Sequence, residues 1–191
     1  VDLLTTEPAL DPRVRRTRTA VLRAAVDLVS ARGTAVTISE IAEAADVSRR
    51  VVYQHFGDLD GVLLEAGVDL ARRELLPRLD GADDRANTLL LARHFAEHQP
   101  FYGALLTGSC AFELNRGLIE LFLPVNRQAV AQLVGDRVSR QAADDLAAFV
   151  TGGASSFVTT WVIEGAHDPE AFTDRVLGVL TALTTALEAT C

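Results

Sequence analysis

The sequence predicts an all-helical protein, and three observations carry that expectation. About half of the 191 residues are apolar, dominated by Ala, Leu and Val, with few aromatics and six prolines, a composition that favours helix over sheet. Apolar side chains recur every three to four residues through long stretches of the chain, which is the period of a helix with one buried face. Those stretches are bounded by Gly, Pro and short polar residues at the positions where helices start and stop.

The elements follow in order. Val21, Ala24, Ala25 and Leu28 place a first helix over about 13–32, with Gly33 as its stop. Thr37-Ile38-Ser39-Glu40 reads as a capping box, flanked by Val36 and Ile41 as a hydrophobic staple, and opens a short second helix to about Ala45. Asp46 and Val47 form a turn, and Ser48 caps a third helix through His55. Two short helices joined by such a turn make a helix-turn-helix. After Gly57-Asp58 a longer helix carries Val62, Leu63, Ala66 and Leu70 to about Leu76, ahead of Pro77. Further helices are expected at about 83–98, 100–107, 110–134, 140–165 and 169–189, broken at Gly81, Pro100, Gly108, Gly135 and His167-Asp168-Pro169, with Pro124 kinking the third of them. The last two carry wide apolar stripes, Leu146, Phe149, Val150, Gly153, Phe157 and Trp161, then Phe172, Val176, Val179, Leu180, Leu183 and Leu187.

The net charge is −8, yet it is unevenly spread. Residues 12–56 hold eight arginines against four acids, whereas residues 57–191 hold ten against nineteen, and the chain has no lysine. A basic head on an acidic body is the footprint of a protein that meets a polyanion with one end. Cys110 and Cys191 are too few for a disulfide framework and suit a reducing compartment. No uninterrupted apolar run approaches the roughly 18 residues of a membrane span, and no secretion signal is legible, so the expected location is the cytoplasm, without membrane association. The sequence has no nucleophile elbow, P-loop or dinucleotide-binding glycine pattern. Neither an enzyme nor a bound cofactor is expected.

Thr37, Ile38, Ile41, Ala42, Ala45, Val47, Ser48, Val52, Tyr53, His55 and Phe56, in this register, resemble the signature of the TetR family of bacterial regulators. The likeness covers about a quarter of the chain. It implies a three-helix DNA-binding domain with a helix-turn-helix (1–58) and a ligand-binding and dimerisation domain of about six helices (59–191). The whole would be a homodimeric repressor that binds palindromic double-stranded operator DNA under the control of a small, mainly apolar effector. The sequence departs from the family pattern at Asp46, where glycine is usual, and at Gly57-Asp58-Leu59-Asp60, where a Lys-Glu pair is common. A helical binding or scaffold protein that no longer reads DNA is the alternative, and the arginine-rich head argues against it.

Candidate residues follow from these readings. Arg49 and Arg50 stand in the first turn of the third helix, where arginine reaches guanine O6 and N7 or phosphate. The resemblance implies phosphate contacts for Tyr53 and His55, with Gln54 near a base or the backbone. Thr37 and Ser48 sit at helix N-termini suited to phosphate, and Arg15, Arg16 and Arg18 are expected along the DNA backbone. His94, His98, Phe101, Tyr102, Leu105, Phe112, Phe122, Asn126, Phe149 and Trp161 are the candidate pocket residues. Phe149, Gly153, Phe157, Phe172, Val176, Leu180 and Leu183 are the candidate dimer interface. His94 and His98, one turn apart, have the spacing of a metal pair, but the sequence offers no third ligand beside them and no metal is expected.

Overall fold

The computed structural model describes residues 11–79 and 83–190, and among these no strand occurs. Residues 1–10 of the expected N-terminal domain, the break at Gly81 and Cys191 lie outside the described residues. The helices are α1 (Pro12–Arg32), α2 (Ile38–Ala44), α3 (Arg49–Phe56), α4 (Leu59–Glu74), α5 (Asp84–Glu97), α6 (Gln99–Leu106), α7 (Ala111–Val134), α8 (Arg140–Ile163) and α9 (Pro169–Thr190). A 3-10 turn, Leu76–Arg78, follows α4 where Pro77 ends the helical pattern, and a second, Gly135–Arg137, follows α7. Helix α7 runs on through Pro124 as one element.

Capping chemistry explains these boundaries. The Asp11 carboxylate accepts from the Arg13 amide with Pro12 at the first helical position. At α2 the Thr37 hydroxyl accepts from the Glu40 amide while the Glu40 carboxylate accepts from the Thr37 amide at 2.8 Å, the complete reciprocal capping box. Ser48, Asp58, Asp83, Ser139 and Asp168 each accept through the side chain from the amide three residues on, without the reciprocal bond. Asp46 takes φ of 54° in the helix-turn-helix turn, the left-handed conformation that Asp and Asn tolerate better than most residues.

One continuous core runs from the first three helices into the rest of the protein. Val21, Ala25 and Val29 of α1, Ile41 of α2 and Val52 of α3 are fully enclosed, and the same cluster extends through Val62 and Ala66 of α4 to Phe101, Tyr102 and Leu114. Helix α4 packs against α1, α3, α6 and α7, so it joins the helix-turn-helix to the body. Where α4 crosses α7 each helix offers a glycine to the other: a Cβ on Gly67 would lie 2.7 Å from Leu114 Cδ1, and one on Gly117 would lie 2.9 Å from Val68 Cγ2. A side chain at either position would have to push the facing methyl aside, so glycine suits this close approach.

Helices α7 and α8 lie along each other, and α5 packs on α9. Helix α8 is, among the described residues, the one helix apolar and long enough to cross a membrane by length and composition, and only 22% of its apolar window is buried. Its Phe149 is 66% exposed, and Gly153, Ile163 and Val179 of α9 are also exposed.

Candidate nucleic-acid interface and effector site

Arg49, Arg50, Tyr53 and Gln54 project from the exposed surface of α3, while Val52 and Phe56 anchor its opposite face in the core. Four residues on one side of an eight-residue helix face solvent because the apolar pair falls four apart. Among the described residues neither Arg49 nor Arg50 is engaged by an acid, so both guanidiniums are available to a polyanion. Thr37 and Ser48 are exposed at the N-termini of α2 and α3, although the Thr37 hydroxyl already serves the capping box. The Glu40 carboxyl is held below its usual range by hydrogen bonds from the Thr37 hydroxyl and amide and by Arg32 at 2.9 Å.

The arginines of α1 divide into two kinds. Arg15 and Arg16 are exposed, Arg16 donating to the Pro12 carbonyl of its own helix. Arg18 turns inward: it pairs with Glu65 of α4, donates to the His55 carbonyl at the end of α3, and lies 4.8 Å over the Phe56 ring. It therefore ties α1, α3 and α4 together. His55 is half-buried beside the same Phe56.

The residues expected in the pocket scatter. Phe101, Tyr102 and Leu105 are fully buried in the core, and Trp161 stacks on Phe172 at 4.2 Å. Phe122 is half-buried against the same core, and Asn126 donates to the Thr151 hydroxyl. Phe112 and Phe149 point to solvent, at 76% and 66% exposed. His94, His98 and Tyr102 do come together, joined by Glu74, the last residue of α4. One Glu74 carboxylate oxygen lies 3.1 Å from His94 Nδ1 and 2.9 Å from His98 Nε2, and His94 Nε2 lies 3.1 Å from the Tyr102 hydroxyl. Burial, then the neighbouring His98, pushes the His94 pKa down to about 4, so this imidazole is neutral at neutral pH. Burial would raise the Glu74 carboxyl, but the hydrogen bond and charge of His98, then those of His94, outweigh it and hold it below its usual value. Burial, reinforced by the Glu74 charge, drives the Tyr102 phenol upward.

Glu74 and His94 form one wall of a cleft of about 490 Å³ that also takes in Arg78, Ala86, Asn87, Leu89, Leu90, Arg93 and Glu97. This lining mixes charged and apolar groups. Arg93 is drawn toward Glu170 of α9 at 2.7 Å. Glu74 was missed by sequence reasoning because it stands twenty residues before His94, on a different helix. The Cys110 thiol is buried, and its pKa is raised by that burial and by Asp60, the opposite of an activated cysteine.

Residues 21–66 match the bacterial regulatory proteins of the tetR family. No curated protein matches the chain in sequence. Among solved structures, the dihydroxyacetone kinase operon activator DhaS aligns over 89% of this chain and 97% of its own at a TM-score of 0.68 and 16% identity. A TetR-family transcriptional regulator from Rhodococcus sp. aligns over 89% and 99% at 0.63 and 19%. The TetR-family repressor AlkX from Dietzia sp., implicated in biodegradation of n-alkanes, aligns over 88% and 97% at 0.58 and 19%. Residues 21–66 thus carry the helix-turn-helix domain of the bacterial regulatory proteins of the tetR family, and the chain as a whole shares the all-helical fold of such solved regulators.

Proposed function

We propose that the protein is a homodimeric, DNA-binding repressor whose residues 1–58 grip a palindromic operator and whose residues 59–191 pair two copies and receive a small effector. The observation that carries this reading is the exposed α3 face, where Arg49, Arg50, Tyr53 and Gln54 stand together and where, among the described residues, no acid engages the two guanidiniums. A recognition helix placed in the major groove presents its N-terminal residues to base edges, and these arginines occupy that turn. Arg15 and Arg16 extend the same basic surface along the DNA backbone, and Arg18 holds the three-helix head in shape.

Dimerisation is supported by the exposed apolar surface of α8 and α9. Phe149, Gly153 and Val179 are exposed, and Phe157, Val176, Leu180 and Leu183 are only half-buried. A soluble monomer seldom leaves so much contiguous apolar surface uncovered, and a two-fold operator calls for a two-fold protein. Phe172 belongs to the core beneath this surface, stacked on Trp161. For the effector, the cleft beside the end of α4 offers Leu89 and Leu90 to an apolar body and Arg78 and Arg93 to a polar or anionic group.

Operator selection from a random duplex pool tests the reading. A palindromic consensus is expected, with half-sites centred about 34 Å apart. No enrichment of any sequence by the folded protein would favour the scaffold alternative.

A further inference from the structure

We propose that Glu74, His94 and His98 form a binding site for a first-row divalent transition ion, with zinc the best-suited occupant, and that this ion belongs to the effector chemistry of the protein. Each of the three offers one donor atom, and the three atoms lie within 4.8 Å of one another. Two imidazole nitrogens and a carboxylate oxygen are the donor set of open zinc and related sites, and a poor set for calcium or magnesium, which prefer oxygen alone. With metal–ligand bonds of about 2.1 Å, adjacent donors around one ion stand roughly 3.0–3.4 Å apart. The Glu74 oxygen already stands 3.1 Å from His94 Nδ1 and 2.9 Å from His98 Nε2. The two histidine nitrogens are the wider pair, within 4.8 Å, and must draw together around an ion for all three to reach bonding distance.

The proton arrangement around His94 decides whether an ion has a place there. The Tyr102 hydroxyl has one proton and two neighbours, the Gly67 carbonyl at 3.0 Å and His94 Nε2 at 3.1 Å. When that proton goes to Gly67, His94 must donate from Nε2 to the Tyr102 oxygen, which leaves Nδ1 bare and facing the Glu74 carboxylate. Two lone-pair donors aimed at each other need a positive centre between them. Tyr102 then acts as the outer partner that fixes the tautomer and orientation of a metal-bound histidine. In the other proton arrangement Tyr102 donates to His94 and His94 donates to Glu74, and the cluster is a closed hydrogen-bond relay without an ion.

The site is half open. His94 is buried, His98 and Glu74 are partly exposed, and the cleft that Glu74 and His94 line gives water or a ligand atom access to the remaining coordination positions. Arg78 and Arg93, on the same cleft, oppose the charge of a bare cation and favour one that carries an anionic ligand. Because Glu74 ends the helix that begins beside the recognition helix, an ion here fastens α4 to α5. That last consequence rests on the regulatory reading; ion binding does not.

The test is titration of Co²⁺ into tag-free, chelator-treated full-length protein, followed by its visible d–d absorption, with Zn²⁺ as competitor. One Co²⁺ per chain, displaced by Zn²⁺, is expected. His98→Ala and Glu74→Gln should each weaken binding by at least about tenfold, and Tyr102→Phe, which keeps the ring, by about 10- to 100-fold. His167→Ala should bind as the wild type does. Circular dichroism checks that each variant is folded, with His98→Gln replacing any His98→Ala that is not. Absence of saturable Co²⁺ binding by the folded wild type would overturn the proposal, as would wild-type affinity in both folded His98 and Glu74 variants. Operator binding is assayed on the same preparation with and without Zn²⁺. Failure to bind DNA in either condition counts against the regulatory reading and leaves the ion result standing.

Discussion

Replacing Arg49 and Arg50 together by alanine separates DNA recognition from folding, because among the described residues those two arginines engage no acid while Arg18 joins three helices. An exposed, unpartnered arginine contributes within about 0.5 kcal/mol to stability, so the double variant should melt close to the wild type. On DNA each lost phosphate contact flattens the slope of log affinity against log salt by about 0.9. Two arginines on each of two subunits correspond to as much as about 3.6 in that slope. Where one reads a guanine instead, its loss costs about 1–3 kcal/mol at that base pair and relaxes specificity there. Arg18→Ala should behave in the opposite sense. It removes a partly exposed ion pair, a charge-assisted bond to the His55 carbonyl and a contact over Phe56, together about 1–3 kcal/mol after allowance for solvent screening. For a chain of this size that lowers the melting temperature by roughly 2–4 °C per kcal/mol, with the salt slope unchanged. Fluorescence anisotropy between about 50 and 200 mM salt, beside thermal melts, reads both quantities. A folded Arg49→Ala/Arg50→Ala protein with wild-type affinity and slope would refute the assignment of α3 as the recognition helix.

Three further outcomes are expected. Phe149→Asp, at a side chain 66% exposed on α8, should give a monomer by light scattering, since a stable pairing of this kind buries upwards of about 2,000 Å² of surface around a largely apolar centre; a clean dimer at micromolar concentration would show that the interface lies elsewhere. The depressed Glu40 pKa means that the capping contribution is complete above the unfolded value of 4.5 and is lost as pH falls through the lower folded one. Wild-type thermal stability should therefore drop more steeply between about pH 5 and 3 than that of Glu40→Gln, and equal slopes would remove this carboxylate from the acid response. Gly67→Ala places a methyl 2.7 Å from Leu114 Cδ1 and should destabilise by about 1–3 kcal/mol of overpacking, only partly offset by better helix propensity; an unchanged melting temperature would mean that Leu114 yields freely.

Helix boundaries were legible because they are written locally. The Thr37–Glu40 box, the Ser48 and Asp168 caps and the stops at Gly33 and Gly57 lie within a few residues of what they terminate, and the observed helices begin and end within about two residues of the expected positions. Asp46 in the turn was likewise readable from its tolerance of positive φ. Side-chain direction was less legible. Spacing alone did not reveal that Phe112 and Phe149 point outward while Phe101 and Tyr102 point in, because the apolar stripe that carries Phe149 on α8 is wide enough to face both core and solvent. Arg18 looked like its neighbours Arg15 and Arg16 in a basic run, and only the approach of Glu65, forty-seven residues later, turns it inward. The same holds for Glu74, which has no histidine near it in sequence and two in space.

The paired glycines where α4 crosses α7 make that crossing a fulcrum. Gly67 lies near the middle of α4, and at a rise of about 1.5 Å per residue the arm toward Leu59 is about 12 Å long and the arm toward Glu74 about 10 Å. The lever ratio is thus near unity. A rotation about this point carries the two ends through nearly equal distances in opposite directions, without amplification. An ångström of displacement at Glu74 would reach the foot of α3 as an ångström of opposite sense, and in the proposed dimer two such levers would change the separation of their heads by twice the component along the line between them. A side chain at either glycine would press on the facing helix within 3 Å, so enlarging one would change the pivot of such a rotation as well as the stability of the crossing.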